Sequence, residues 1–192
     1  MVYGVNSSMF ISFTGAQSSG KSTLFNHFIS KNTEWEHVPE VTRKFKRIGF
    51  SINDDADNYD DTQLAIFADH ISNLLSKYNE KNTILDRCLV DGYIYTRYFR
   101  HNSKVTEFID KMFSYAMPRY IPMYDYIFYT NPYDVPLVDD GERSTKVKFR
   151  EDIIKLYEDK VLDKYPNVYV LEGTVEDRYN KMKEIIGHGK IR

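Results

Sequence analysis

Met9-Phe10-Ile11-Ser12-Phe13-Thr14-Gly15-Ala16-Gln17-Ser18-Ser19-Gly20-Lys21-Ser22-Thr23 joins a mostly apolar run to a glycine-bracketed turn. Met9 to Thr14 has the short apolar form of a buried strand, and Gly15 ends it. Leu24, Phe25, Phe28 and Ile29 then recur at helical spacing. The turn between them, Gly15 to Ser22, fits GxxxxGK[ST] and stands between strand and helix, the context that a phosphate cradle requires. Its glycines let the backbone curl until successive N–H groups converge on phosphate oxygens, and the helix N-terminus adds partial positive charge. Gly15, Gln17, Ser18, Ser19, Gly20, Lys21, Ser22 and Thr23 are therefore the expected nucleotide-binding residues. Lys21 is expected to reach the β- and γ-phosphates of ATP, and the Ser22 hydroxyl to ligate Mg²⁺.

Outward from this turn, short apolar runs alternate with longer amphipathic ones, the pattern of an α/β sheet protein. Strands are expected at Trp35 to Val38, stopped by Pro39, at Thr83 to Leu85 leading into Asp86, at Tyr126 to Tyr129 and at Val168 to Leu171. Asp60 and Gln63 are spaced as a helix cap and its partner, and Leu64, Phe67, Ala68, Ile71, Leu74, Leu75 and Tyr78 form one stripe behind them. Val90, Ile94, Tyr95, Tyr98 and Phe99 mark a helix after Asp86. Another is expected from a cap near Ser103, with Val105, Phe108, Ile109 and Met112, closed by Pro118. Asn131 to Thr145 has no apolar period and reads as a long exposed loop; with the start of a helix from about Lys146 to Asp163 it gives a mobile lid at about 131–150. A last helix starts near Thr174. The sum is five parallel strands with helices on both faces, in one domain spanning 1–192.

Bulk properties agree with this reading. A chain of 192 residues, 42% hydrophobic and 28% charged, has a globular profile, and a domain of this size buries about 70% of its unfolded surface. A net charge of −2 gives no global reason to bind nucleic acid, and no apolar run is long enough for a bilayer, so a cytoplasmic protein without membrane partners is expected. Oligomeric state is left open by these patterns, which are compatible with a dimer. The single Cys88 excludes an internal disulfide, and the five His lack metal-ligand spacing.

The cradle alone does not separate kinase from GTPase, motor or AAA-type ATPase. A GTPase should carry an NKxD segment, whereas Asn180-Lys181-Met182-Lys183 puts Lys where Asp is needed. AAA-type ATPases end the corresponding strand in two acidic residues, whereas Asp86 is followed by Arg87. Asp86, at a strand's C-terminal end, is placed to hold Mg²⁺ or to take an acceptor's proton. Substrate contacts are expected from Glu40 and Arg43, which follow the second strand, and from Arg87 and Asp91. Asp139-Asp140-Gly141-Glu142-Arg143 in the lid supplies a turn and a guanidinium, with Arg150 one to two helical turns onward. Such arginines neutralise charge on a transferring phosphoryl group.

GxxSSGKS at Gly15 to Ser22, PExxR at Pro39 to Arg43, DRxxxD at Asp86 to Asp91 and DDGxR at Asp139 to Arg143 run in order over most of the chain. In this combination the chain resembles the NadR-like, AAA_28-type P-loop kinase family. The resemblance implies a three-layer P-loop NTPase fold with strand order 2-3-1-4-5, an ATP site, Asp86 as base or magnesium partner, and Arg143 in the lid with Asp140. The DR motif and its Tyr-rich helix are also similar to those of thymidylate and deoxynucleoside kinases, although no REPGGT segment is present. The expected activity is transfer of the ATP γ-phosphate to nicotinamide riboside, a deoxynucleoside or a deoxynucleoside monophosphate. The rival readings are a kinase of a modified base in phage-type DNA and a non-catalytic ATP-binding switch.

Overall fold

The computed structural model describes residues 8–52, 55–78, 80–136 and 146–188. Among them, five parallel strands form one sheet: β1 (Phe10–Thr14), β2 (Glu36–Val38), β3 (Thr83–Asp86), β4 (Tyr126–Thr130) and β5 (Val168–Leu171). Their order is β2-β3-β1-β4-β5. Central β1 and β3 are buried at every position, so they read as continuous apolar runs rather than as an alternation. Phe13 lies opposite both Asp86 of β3 and Phe128 of β4, which aligns the carboxyl ends of the three central strands.

Strand alternation sorts the side chains between two helical layers. Ile11, Phe13, Ile84 and Phe128 pack with Leu24, Phe25 and Phe28 of α1 (Lys21–Lys31) and Tyr179 and Met182 of α7 (Val175–His188). The opposite face takes Phe10, Leu85, Ile127 and Tyr129 against α4 (Leu89–His101), α5 (Glu107–Tyr120) and α6 (Val147–Lys160). Between β2 and β3 lie α2 (Val41–Arg47) and α3 (Asp60–Lys77), with Val41, Phe45 and Ile66 forming a small separate cluster. No helix among the described residues is long and apolar enough to cross a membrane.

Several boundaries differ from expectation for identifiable reasons. Asp60 does not cap α3; its carboxylate instead accepts from Thr106 N (2.7 Å), ahead of α5. Gln63 is buried and accepts from the Thr96 hydroxyl of α4 (2.9 Å), so the supposed capping partner is an interhelical contact. Packing against α4 turns α3 so that Ile66, His70 and Leu74 are buried, leaving Leu64 and Leu75 outside. Ser103 ends α4 in a left-handed turn (φ 57°) rather than starting α5, and Pro118 sits inside the last turn of α5 instead of closing it. Residues 39–47, read only as a ligand-edge segment, form α2 after Glu40. The loop after β4 opens with a 3₁₀ turn, Pro132–Asp134, in which Asn131 Oδ1 accepts from Tyr133 N (3.0 Å). Its distal part, with Asp139, Asp140, Gly141 and Arg143, lies outside the described residues.

The seam of α3, α4 and α5 closes on Gly92. A Cβ there would meet buried Phe113 at 2.5 Å and His70 at 3.5 Å. Gly92→Ala is expected to lower stability by about 2 kcal/mol and the melting temperature by about 4–8 °C, measured by thermal and urea unfolding. Burial pushes the His70 pKa down from 6.5 to about 4, outweighing the pull of Asp91 and Asp69. Between those values the unfolded chain binds a proton that the folded chain refuses, so stability rises with pH across that window. The contribution is fully present above pH 6.5 and is lost as pH falls towards 4, on the order of 3 kcal/mol. His70→Gln is expected to flatten this slope when urea midpoints are compared with those of wild type from pH 4 to 7.

Candidate active site

The strand–turn–helix is closed around its own backbone. Gly15 has φ 140°, and a Cβ there would come within 3.0 Å of Thr130 Oγ1 and 3.1 Å of the Thr130 carbonyl, so the loop passes directly over the end of β4. Ser19 Oγ is 2.6 Å from Thr130 Oγ1. Ser18 (φ 53°) and Gly20 (φ 84°) are left-handed, which curls the loop before Gly20 opens α1 by accepting from Leu24 N. The first turn of α1 holds no acidic residue of its own. Lys21 is buried and folds back over the turn, donating to the carbonyls of Gly15 (2.8 Å) and Ala16 and to Ser19 Oγ (3.2 Å). Thr23 is exposed on the first turn of α1.

Alternation along β3 puts Asp86 on the same face as Ile84, towards α1, and Ser22 Oγ donates to Asp86 Oδ2 at 3.0 Å. Among the described residues Asp86 Oδ1 is buried without a hydrogen-bond partner. A buried carboxylate oxygen with lone pairs to spare, beside a hydroxyl and a helix N-terminus, suits a hard cation such as Mg²⁺. Burial raises the Asp86 pKa and Glu40 raises it further, while Arg87, Lys21 and the Ser22 hydrogen bond pull it down.

Beside this pair runs a buried chain of charges. Glu40 accepts from Arg87 Nε (2.6 Å), Thr42 Oγ1 (2.6 Å) and Arg43 Nε (3.3 Å). Arg87, itself left-handed at φ 87°, donates from Nη1 to Asp91 at 2.7 Å and stacks over Tyr95 at 5.6 Å. Asp91 also accepts from Cys88 N, the Thr14 hydroxyl and the Tyr157 hydroxyl, and that phenol accepts from Gly15 N. Asp91 thereby caps α4 and braces the start of the phosphate loop in one contact set. Burial pushes the Cys88 thiol up to about 12, which fits a packing residue and not a nucleophile.

Glu40, Arg43, Arg87 and Asp91 share the wall of one cleft of about 660 Å³, including its open mouth. Gln17 closes it on the phosphate side, and Gln63, His70, Tyr95 and Phe149 complete it. Tyr95 and Phe149 meet edge to face at 5.9 Å, and the Tyr95 hydroxyl donates to Gln17 Oε1 at 3.0 Å. Two sets of expected residues therefore come together: Lys21, Ser22 and Asp86 at the phosphate loop, and the four charged residues on the cleft. Arg150 donates to the Gln17 carbonyl (3.3 Å) and to those of Pro132 and Val135, so it bonds loop backbone in this arrangement. Asp140 and Arg143 fall outside the described residues. Sequence reading missed Gln63, His70, Tyr95 and Phe149 as cleft residues, since Gln63 reads as a capping partner, Tyr95 as part of a helical stripe, and His70 and Phe149 stand in no motif. It missed buried Arg178 as well, whose signal was a charge within the apolar phase of α7, between Val175 and Met182.

Comparison with known proteins gives the same picture. The chain is 26% identical over 196 residues to a thymidylate kinase of Dictyostelium discoideum, covering 92% of this chain and 84% of that one. Its fold is similar to thymidylate kinase of Candida albicans (TM-score 0.67, 15% identity, 94% of this chain and 91% of that one). It is similar also to deoxyadenosine kinase of M. mycoides with bound dATP (TM-score 0.62, 16% identity, 93% and 100%). The NadR protein in complex with NR matches at TM-score 0.65 and 17% identity over 98% of this chain, which spans about half (54%) of that protein. The AAA_28 family model, described as an AAA domain, matches residues 10–178. With this match added to the ordered motifs and the 2-3-1-4-5 sheet, the chain belongs to the AAA_28 family.

Proposed function

We propose that the protein is a P-loop kinase that transfers the γ-phosphate of ATP, with Mg²⁺, to a hydroxyl of a small nucleoside-type acceptor. The observation that carries this reading is the adjacency of two sites at one sheet edge: the phosphate loop with Asp86, and the cleft bearing Glu40 and Arg87. Ligands of open α/β sheets bind beyond the carboxyl ends of the strands, where both lie.

The roles divide by position. Loop amides and Lys21 hold the polyphosphate, and Arg143, which lies outside the described residues, is the proposed source of positive charge for the moving group. Ser22 and Asp86 would hold Mg²⁺, which would supply positive charge to offset the negative charge of the phosphates. Glu40, on the cleft wall, takes the proton of the acceptor hydroxyl as its oxygen bonds to the γ-phosphorus and ADP leaves. Arg87 fixes Glu40 from behind; its buried contacts to Glu40 and Asp91 make it an organiser of the wall. Tyr95 and Phe149 supply flat apolar surface for a base, and Gln63 a polar edge. Arg43, partly exposed at the mouth, suits an acceptor that carries a phosphate. A nucleoside or its monophosphate therefore fits this cleft, in keeping with the relatives named for thymidylate, deoxyadenosine and NR.

ADP release screened against deoxynucleosides, nucleoside monophosphates, nicotinamide riboside and duplex DNA, with and without Mg²⁺, tests the reading. One small acceptor is expected to stimulate turnover. Asp86→Asn and Glu40→Gln are each expected to lower kcat by roughly 10²-fold or more. The first is expected to raise the Mg²⁺ requirement, and the second to leave ATP binding unchanged. Stimulation by duplex DNA alone would favour the DNA-kinase reading. ATP binding with no acceptor-dependent turnover, indifferent to Asp86→Asn, would leave a nucleotide switch.

A further inference from the structure

Among the described residues Arg178 is the largest fully buried side chain, and no step of the proposed transfer uses it. It stands on α7, behind the phosphate loop. Its Nη1 donates to the Ser19 carbonyl at 2.7 Å, and its Nη2 donates to the Asn131 carbonyl at 2.9 Å and to Asp134 Oδ2 at 3.2 Å. Asp134 also accepts from Gly173 N at 2.7 Å, so the loop, the segment leaving β4 and the start of α7 converge on one guanidinium. The fit is close, since a Cβ on Gly20 would come within 3.1 Å of Arg178 Nη1.

A buried guanidinium is costly to desolvate, and this one meets two backbone carbonyls and a single carboxylate. The geometry points to Arg178 as a positioning residue for the phosphate loop, acting through the Ser19–Gly20 peptide. A trans peptide carries its C=O and the following N–H on opposite sides. With the Ser19 oxygen held outward by Arg178, the Gly20 N–H is turned away from it, towards the concave side where α1 begins. Arg150 of α6 holds the Gln17 oxygen in the same way and so orients the Ser18 N–H. Cations on two separate helices thus set the direction of two loop donors without touching the ligand. Only a branched planar group reaches the loop and residues 131 and 134 together; a lysine has one donor centre.

This inference rests on the loop being a polyphosphate cradle, and the test separates the two. Inorganic tripolyphosphate with Mg²⁺ is titrated into ¹⁵N-labelled full-length protein, following affinity and the Gly20 amide resonance. Wild type is expected to bind with a large shift of that amide. Arg178→Met is expected to weaken binding at least about tenfold and to lose most of the shift. Arg178→Lys and Asp134→Asn, which disturb the fold less, are expected to fall between. A general loss of stability would not alter the Gly20 amide selectively in a variant whose other resonances stay dispersed. No binding by wild type overturns the cradle reading, and this inference with it. Wild-type binding matched within twofold by Arg178→Lys and Asp134→Asn, with an unchanged Gly20 shift, overturns the role of Arg178 alone; should Arg178→Met not fold, those two variants decide.

Discussion

β1 has β3 on one side and β4 on the other, in a parallel register that sets Phe13 against both Asp86 and Phe128. From that register the geometry of the carboxyl edge follows. Strand periodicity sends Asp86 to the α1 face, where the first turn of α1 presents Ser22, and sends Thr130 to the same side to meet Ser19. Thr14 points the other way, to Asp91 and Tyr157. A slip of one residue in β3 would exchange these faces and put Leu85 where the carboxylate now stands. The buried apolar neighbours of Asp86 are thus part of the chemistry, because they fix which way it points.

Lys21, Glu40, Asp86, Arg87, Asp91 and Arg178 are all buried within this edge. Such burial is unfavourable unless each charge is countered and hydrogen-bonded. Glu40, Arg87 and Asp91 meet that condition as an alternating chain. Asp86 meets it only in part, with one oxygen bonded by Ser22 and the other without a partner. Desolvation and the nearby Glu40 raise its pKa, the electrostatic signature of a site that a cation would complete. The contrast separates charges already paired with one another from one that is only half satisfied among the described residues.

The phosphate turn, the strands and the helices around the sheet were legible in the sequence because each rests on a local, periodic signal, whereas the strand order followed only from the family resemblance. The rotation of α3 was not legible. Leu64 and Leu75 have the right spacing for a core stripe, but which side of a helix is buried depends on its neighbours, and Thr96 draws Gln63 inward instead. Likewise Asp60 and Ser103 carry capping chemistry, and tertiary contacts use it elsewhere, Asp60 at the start of α5 and Ser103 at the end of α4. In the site, the described residues that belong to motifs lie together at one sheet edge, whereas Gln63, His70 and Arg178 reach it from distant segments, Arg178 alone marked by a charge in the apolar phase of α7.

Gln17 shows how the two halves of the site are joined. Its main chain belongs to the phosphate loop, and its carbonyl is held by Arg150. Its side chain leaves the loop for the cleft, where Oε1 accepts from Tyr95, whose ring lies under Arg87. Any movement of the loop must then shift, or be resisted by, the aromatic wall of the cleft. The reverse also holds, since a planar group seated against Tyr95 acts on the same hydrogen bond. By linkage, each ligand changes the affinity for the other by an equal factor whenever that contact differs between the bound states. One glutamine, whose Nε2 is buried without a partner among the described residues, therefore joins the loop to the wall of the cleft.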